Sequence, residues 1–306
     1  MTPSRALKVA WLVVAACVGP VDSTPAQARG SISTASGKHE TTPTLSCVAG
    51  SPDNRVRSRK LGMGYEVTVG PASPARAEGE DCTARVVGRQ GRIAFEVAGY
   101  NVTLDGAATG LDVDGDGHGD VVLRVDSGGG QHCCWSVTVL SLQPSPRKLF
   151  EIDAAGLVRF EKDKRGHIIV WQRVPGPADF TDMADRPFAE RAFQFRGGRL
   201  VDETPQHCGE LLAPGNRDFD RQARLLTPER VASLSAEQGQ PDQEVASALW
   251  SRALQLTFCH RYDDAQKDLD RWPAPQRAYR AMYEAVKDEC PDFAKRLLRG
   301  AGGERR

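Results

Sequence analysis

Between Cys47 and about residue 202 the apolar residues alternate with polar ones, and clusters of Gly, Pro, Asp or Ser interrupt the runs every dozen residues or so. Successive side chains of a strand point to opposite faces, so this pattern predicts an antiparallel β-meander with one face in a core and the other in water. The clearest strands are Gly64 to Val69, Arg92 to Val97 (Ile93, Phe95 and Val97 on one face), Tyr100 to Leu104, Val121 to Val125, Ser136 to Leu142, Leu157 to Glu161, Ile168 to Arg173 and Ala192 to Arg196. Hairpin signals sit at Lys162–His167 and at Gly197-Gly198, the latter suited to a tight turn of positive φ. The basic cluster Arg55 to Lys60 reads as a solvated loop.

After residue 202 the period lengthens to that of helices. Ser247–Cys259 carries Leu249, Ala253 and Leu256 on one stripe with Trp250, Leu254 and Phe258 beside it. Arg261–Trp272 predicts a second helix ended by Pro273, Pro273–Cys290 a third ended by Pro291, and Phe293–Leu298 a short fourth. The expected class is therefore α+β: a β-meander domain over 46–202, as a sandwich or a partial propeller, and a small α-helical domain over 203–306.

Ahead of these lies an export signature. Arg5 and Lys8 precede the apolar run Val9 to Val18, which is too short to span a bilayer. Ala26-Gln27-Ala28 fits signal-peptidase cleavage after a 1–28 signal peptide, and Val14-Ala15-Ala16-Cys17 fits a lipoprotein box with lipidation at Cys17. Residues 29–45 are rich in Ser, Thr and Gly and read as a flexible tether. The formal charge of the 306 residues is zero, and loss of Arg5, Lys8 and Asp22 with the signal leaves about minus one. That balance carries no footprint for nucleic acid or an anionic membrane. A periplasmic or cell-envelope location follows, with contact to the membrane only through a lipid at Cys17.

An exported chain can use its cysteines as cross-links. Seven remain beyond Cys17, and pairing within structural units suggests Cys47 with Cys82 and Cys259 with Cys290. Cys133 and Cys134 are adjacent: a structural disulfide, vicinal or with one of the pair reaching Cys208, is preferred to a thiolate nucleophile beside His132 or a soft-metal site.

The densest chemistry is Asp112-Val113-Asp114-Gly115-Asp116-Gly117-His118-Gly119-Asp120. Calcium-sized hard cations take six to eight oxygens, and alternate positions of a glycine-bearing loop can turn inward. Asp112, Asp114, Asp116 and Asp120 would supply carboxylates and His118 its carbonyl, and without a cation the aspartates would repel one another. An Asp-Gly turn holding no ion has the same composition.

This loop, with the Gly-Asp-Val-Val-Leu-Arg-Val strand after it, resembles the D-x-D-x-D-G calcium loops of FG-GAP and VCBS-type repeats, here as one unit rather than an array. The segment Ser127 to Leu142 is similar to a Gly-Gly-x-His-Cys-Cys stretch of exported bacterial proteins, and Ala248 to Trp272 resembles a single tetratricopeptide helix pair. The resemblance implies architecture, a Ca2+ ion and no particular reaction. The expected function is non-enzymatic: a calcium-stabilised envelope protein acting on a protein or envelope component. The alternative is an enzyme, a metal-dependent hydrolase using the acidic loop or a thiol oxidoreductase using Cys133 or Cys134.

Overall fold

The computed structural model describes residues 44–73, 79–128, 135–154, 157–175, 187–233 and 243–271. Thirteen strands and five helices are present among them: β1 (Leu45–Val48), β2 (Arg57–Lys60), β3 (Glu66–Pro71), β4 (Cys82–Val87), β5 (Ile93–Gly99), β6 (Asn101–Leu104), β7 (Val121–Asp126), β8 (Trp135–Ser141), β9 (Arg147–Asp153), β10 (Val158–Lys162), β11 (Ile168–Pro175), β12 (Phe188–Arg196), β13 (Arg199–Asp202), α1 (Thr204–Leu211), α2 (Arg217–Leu225), α3 (Pro228–Ser233), α4 (Gln243–Phe258) and α5 (Tyr262–Asp270). The class is α+β, as the patterning predicts. Every strand pair is antiparallel.

Three successive four-stranded meanders make up the β part: an outer sheet β2-β3-β4-β5, a central sheet β6-β7-β8-β9 and a helix-side sheet β10-β11-β12-β13. A four-stranded meander is also the unit of a propeller blade, and the described residues contain no closed ring of them. Strand β1 breaks sequence order by pairing with β6, which makes the central sheet five-stranded.

The middle of the central sheet, β7 and β8, is covered on both faces, which corrects the expectation of one face in water there. Leu104, Val121, Leu123, Val125 and Leu140 pack with Val67, Val69, Ala84 and Val86 of the outer sheet. Val122, Val137, Val139, Phe150 and Ile152 pack on the other side with Val158, Ile168, Val170, Phe193 and Phe195 of the helix-side sheet. Covered on both sides, β7 and β8 read as near-continuous apolar runs rather than alternating ones.

Two further expectations change. Ile93 is 54% exposed, because Val86 pairs with Phe95 and Val87 with Ile93, so Ala94 is an inserted residue. A bulge of this kind reverses the side-chain alternation beyond it. The basic cluster is strand in part: Arg57–Lys60 forms β2, and its cationic side chains mark a sheet edge against further pairing.

Cys47 is bonded to Cys82, as expected, and joins β1 of the central sheet to β4 of the outer sheet within their shared core. The Cys259–Cys290 pairing is corrected: Cys259 is bonded to Cys208. Helix α4 delivers Cys259 beside α1, since both helices pack on β12. Cys208 is therefore closed to Cys133 and Cys134 as well. Cys17, Cys133, Cys134 and Cys290 lie outside the described residues, as do the signal segment, the tether up to residue 43 and the helices expected beyond residue 271.

The helical layer rests on the far face of the helix-side sheet. Ile169, Trp171 and Ala192 meet Leu211 of α1, and Val174 and Ala189 meet Leu254 and Phe258 of α4. Helix α4 is apolar nearly all round because it is the centre of this layer: Val245 and Leu249 face Leu226 and Val231, while Trp250, Ala253 and Leu256 face Ala265 and Leu269 of α5.

Side chains of the helices complete one strand edge. Strand β13 pairs β12 only from Phe193 to Arg196, which leaves alternate backbone groups of Phe188, Glu190 and Ala192 without a strand partner. Phe188 N–H donates to Ser251 Oγ at 3.1 Å, and Glu190 N–H donates to Gln255 Oε1 at 2.9 Å. Gln255 Nε2 donates in return to the Glu190 carbonyl at 3.0 Å, and Ala192 N–H donates to Thr204 Oγ1 at 3.0 Å. Orphaning a buried donor or acceptor costs about 1–3 kcal/mol. Gln255→Ala, which orphans one of each, is expected to lower the unfolding free energy by about 3 kcal/mol in urea titrations, with the Cys208–Cys259 bond retained in peptide maps.

Candidate metal centre

The acidic loop is the connection between β6 and β7, and its neck is built before its ligands. Asp120 N–H donates to the Leu111 carbonyl and Gly110 N–H to the Asp120 carbonyl, each at 2.8 Å, closing a narrow base. A Cβ on Gly119 would lie 2.7 Å from the Gly110 carbonyl oxygen, so only glycine allows the two arms to approach. Val113 anchors the loop by inserting into the core between the central and helix-side sheets.

Above this neck the first three aspartates fold the backbone around their own carboxylates. Asp112 accepts from Gly115 N–H at 2.8 Å and from Gly117 N–H at 2.9 Å, and Gly117 takes a φ of 86° to present it. Asp114 Oδ1 accepts from Asp116 N–H at 3.2 Å, and Asp116 Oδ1 accepts from His118 N–H at 2.8 Å. Carboxylate oxygens of Asp112, Asp114 and Asp116 lie within 4.8 Å of one another. At that separation like charges raise each other's energy unless a cation intervenes.

The other two expected ligands lie outside the cluster of three carboxylates. His118, expected to offer its carbonyl rather than its ring, is exposed. Asp120 is 1% exposed; its Oδ2 accepts from Val113 N–H at 2.8 Å and its Oδ1 is buried with no hydrogen-bond partner among the described residues. Burial, then the charges of Asp114 and Asp116, push its carboxyl up to about 7 against the opposing Val113 hydrogen bond. Asp126, one strand on, is buried; it accepts from Asn101 Nδ2 at 2.7 Å and caps the following turn through Gly128 N–H at 2.9 Å.

Two residues that the loop's own spacing does not reveal complete the surroundings. Arg147 at the start of β9 pairs with Asp114 Oδ2 at 2.9 Å, and Ser141 at the end of β8 donates to Asp116 Oδ2 at 3.3 Å. One guanidinium thus meets a cluster of three carboxylates, and the imbalance suits a divalent ion held by oxygen ligands. No signal in the loop points to Arg147, because the next hairpin brings it there.

A carboxyl raised above its unfolded value near 3.9 contributes stability that is fully present below that value and lost as pH rises through the folded value. In chelator-treated protein the melting temperature is therefore expected to fall as pH rises toward and through about 7. Asp120→Asn is expected to remove that slope, and saturating calcium to flatten it by favouring the ionised carboxylate. A slope unchanged in Asp120→Asn would assign the pH dependence to other groups.

The chain matches no family model, and no curated protein matches it. It is similar over 33% of its length to 89% of PliI-Ah, a periplasmic inhibitor of I-type lysozyme from Aeromonas hydrophyla, at 16% identity and a TM-score of 0.24. It is similar over 32% of its length to 85% of Aeromonas hydrophila PliI solved in complex with Meretrix lusoria lysozyme, at 16% identity and a TM-score of 0.22. Scores of this size carry no argument about function.

Proposed function

We propose that this chain is an exported, calcium-stabilised binding protein of the cell envelope, with no catalytic role for the acidic loop. The observation that carries the reading is the triad Asp112, Asp114 and Asp116, whose carboxylate oxygens lie within 4.8 Å of one another while one guanidinium, that of Arg147, pairs with the group. Oxygen-only ligands on a glycine-bearing loop suit calcium better than magnesium, which demands near-octahedral geometry and keeps its waters. The buried, unpartnered Asp120 Oδ1 is a further acceptor that an ion could satisfy.

Export is supported by two disulfides, which persist in oxidising compartments, and by the basic-then-apolar N-terminal sequence. No helix among the described residues is long and apolar enough to cross a membrane. Attachment, on this reading, runs through a lipid on Cys17 or is absent. The ion acts as a stiffener: it holds the β6–β7 connection against the core that Val113 enters, and its binding free energy adds to folding. The helical layer is then a rigidly mounted surface for a protein or envelope partner.

Calcium at 100 times its dissociation constant adds about 2.7 kcal/mol to the folded state. Titration of chelator-treated protein is expected to raise the melting temperature at about 0.1–1 mM calcium, the range of extracellular modules. Magnesium at the same concentration is expected to do less, and Asp112→Asn to abolish the response. A melting temperature indifferent to calcium would overturn the reading.

A further inference from the structure

A cavity of about 230 Å³ opens where the β11–β12 hairpin meets α2 and α4. It is smaller than the roughly 300–1,000 Å³ of drug-sized ligand sites, so its occupant is small. Arg173 and Phe188 come from the strands, Asp218 and Gln222 from α2, and Glu244 from α4. The hydrogen bonds of Ser251 and Gln255 to β12 fix one wall of it.

The charges lining this cavity are incompletely answered by the protein. Glu244 pairs with Arg221 at 3.8 Å and Arg230 at 4.0 Å, so these rim charges offset one another. Arg173 and Asp218 differ. The Arg173 guanidinium stacks on Phe188 at 4.5 Å, and its Nε is buried with no hydrogen-bond partner among the described residues. Asp218, in the first turn of α2, has a carboxylate with no hydrogen bond or ion pair among the described residues; its backbone N–H donates to Asn216 Oδ1. The two side chains line one space and make no ion pair with each other.

That pattern discriminates among ligands. A phosphate or a simple carboxylate would answer Arg173 and leave Asp218 facing a like charge, while a metal ion or a plain amine would do the reverse beside two arginines. A smaller recess shares Arg173, Phe188, Asp218 and Gln222 and adds Glu190, whose carboxyl is raised by burial and by Asp218 against the lowering effect of Arg159 and Arg173. Glu190 is answered by Arg159 at 2.5 Å, which leaves Asp218 as the unanswered carboxylate on this side among the described residues.

We infer that the cavity binds a small zwitterion of the amino-acid class, with its carboxylate on Arg173 over Phe188 and its ammonium on Asp218. A charge-assisted hydrogen bond at each end holds the molecule in one orientation, and Gln222, which lines the same cavity, offers both a donor and an acceptor. The site is separate from the acidic loop in the β6–β7 connection and does not depend on calcium there.

The test uses the full oxidised chain and isothermal titration with the common amino acids, with acetate and methylammonium as probes of either charge alone. At least one amino acid is expected to bind saturably at millimolar concentration or below, and each single-charge probe to bind at least about tenfold more weakly. Asp218→Asn and Arg173→Gln are each expected to weaken amino-acid binding at least about tenfold, and Glu229→Gln, on the exposed side of α3, to leave it unchanged. Asp218 is partly exposed and Asn216 caps α2, so the Asp218 variant keeps its fold and the test open if the Arg173 variant does not. No saturable binding by any amino acid, equal binding of a single-charge probe, or binding untouched by Asp218→Asn would overturn the inference.

Discussion

The burial of the central sheet on both faces is the constraint from which the rest of the molecule follows. Alternate residues of β7 enter different cores, Val121, Leu123 and Val125 toward the outer sheet and Val122 toward the helix-side sheet. A strand in that position cannot slip by one residue without exchanging the contents of two cores, so its register is doubly specified. Arg124, charged and in the middle of the strand, is accommodated because it pairs with Asp105 at 2.6 Å and donates to the Val158 carbonyl at 2.8 Å. The acidic loop inherits this rigidity, since it hangs between β6 and β7 and is anchored by Val113 in one of the same cores.

The second dependence is between the helical layer and the edge of β12. Buried backbone groups need partners, and here Ser251, Gln255 and Thr204 provide them where β13 falls short. The Cys208–Cys259 bond holds the two helices that carry these side chains. The cavity beside Arg173 and Asp218 exists because the contact is made by polar side chains, which reach the strand edge at discrete points and leave space between them.

Most of the strands were legible because alternation and turn residues are local signals. Those that escaped notice have their own reasons: β2 is written in Arg, Ser and Lys because it is an edge, β1 has only four residues, and β9 sets Leu149 beside Phe150, which breaks its alternation. Helices α1 to α3 are brief and rich in Pro, Asp, Glu and Arg, so their apolar stripes are too thin to stand out. At the loop, spacing alone identified Asp112, Asp114 and Asp116, because their oxygens converge through bonds made within the loop itself. The separate placement of Asp120 was hidden, since it comes from burial against Val113 and the core, and Arg147 was hidden because it arrives from another hairpin. The pairing of Cys259 likewise depends on which helix α4 lies beside, a matter of tertiary packing.

Strand β1 has a consequence for the order in which the chain can assemble. Strands β2 to β5 are consecutive neighbours and can pair as they appear, but Leu45–Val48 must wait for Asn101–Leu104, with the whole outer sheet intervening. Closing so long a loop is entropically costly, and contacts of this separation slow folding. During synthesis from the N-terminus the first strand is thus an unpaired edge whose sheet has not yet been made. Its pairing and the Cys47–Cys82 bond act as a latch over the outer sheet, one that can close only once β6 has followed that sheet.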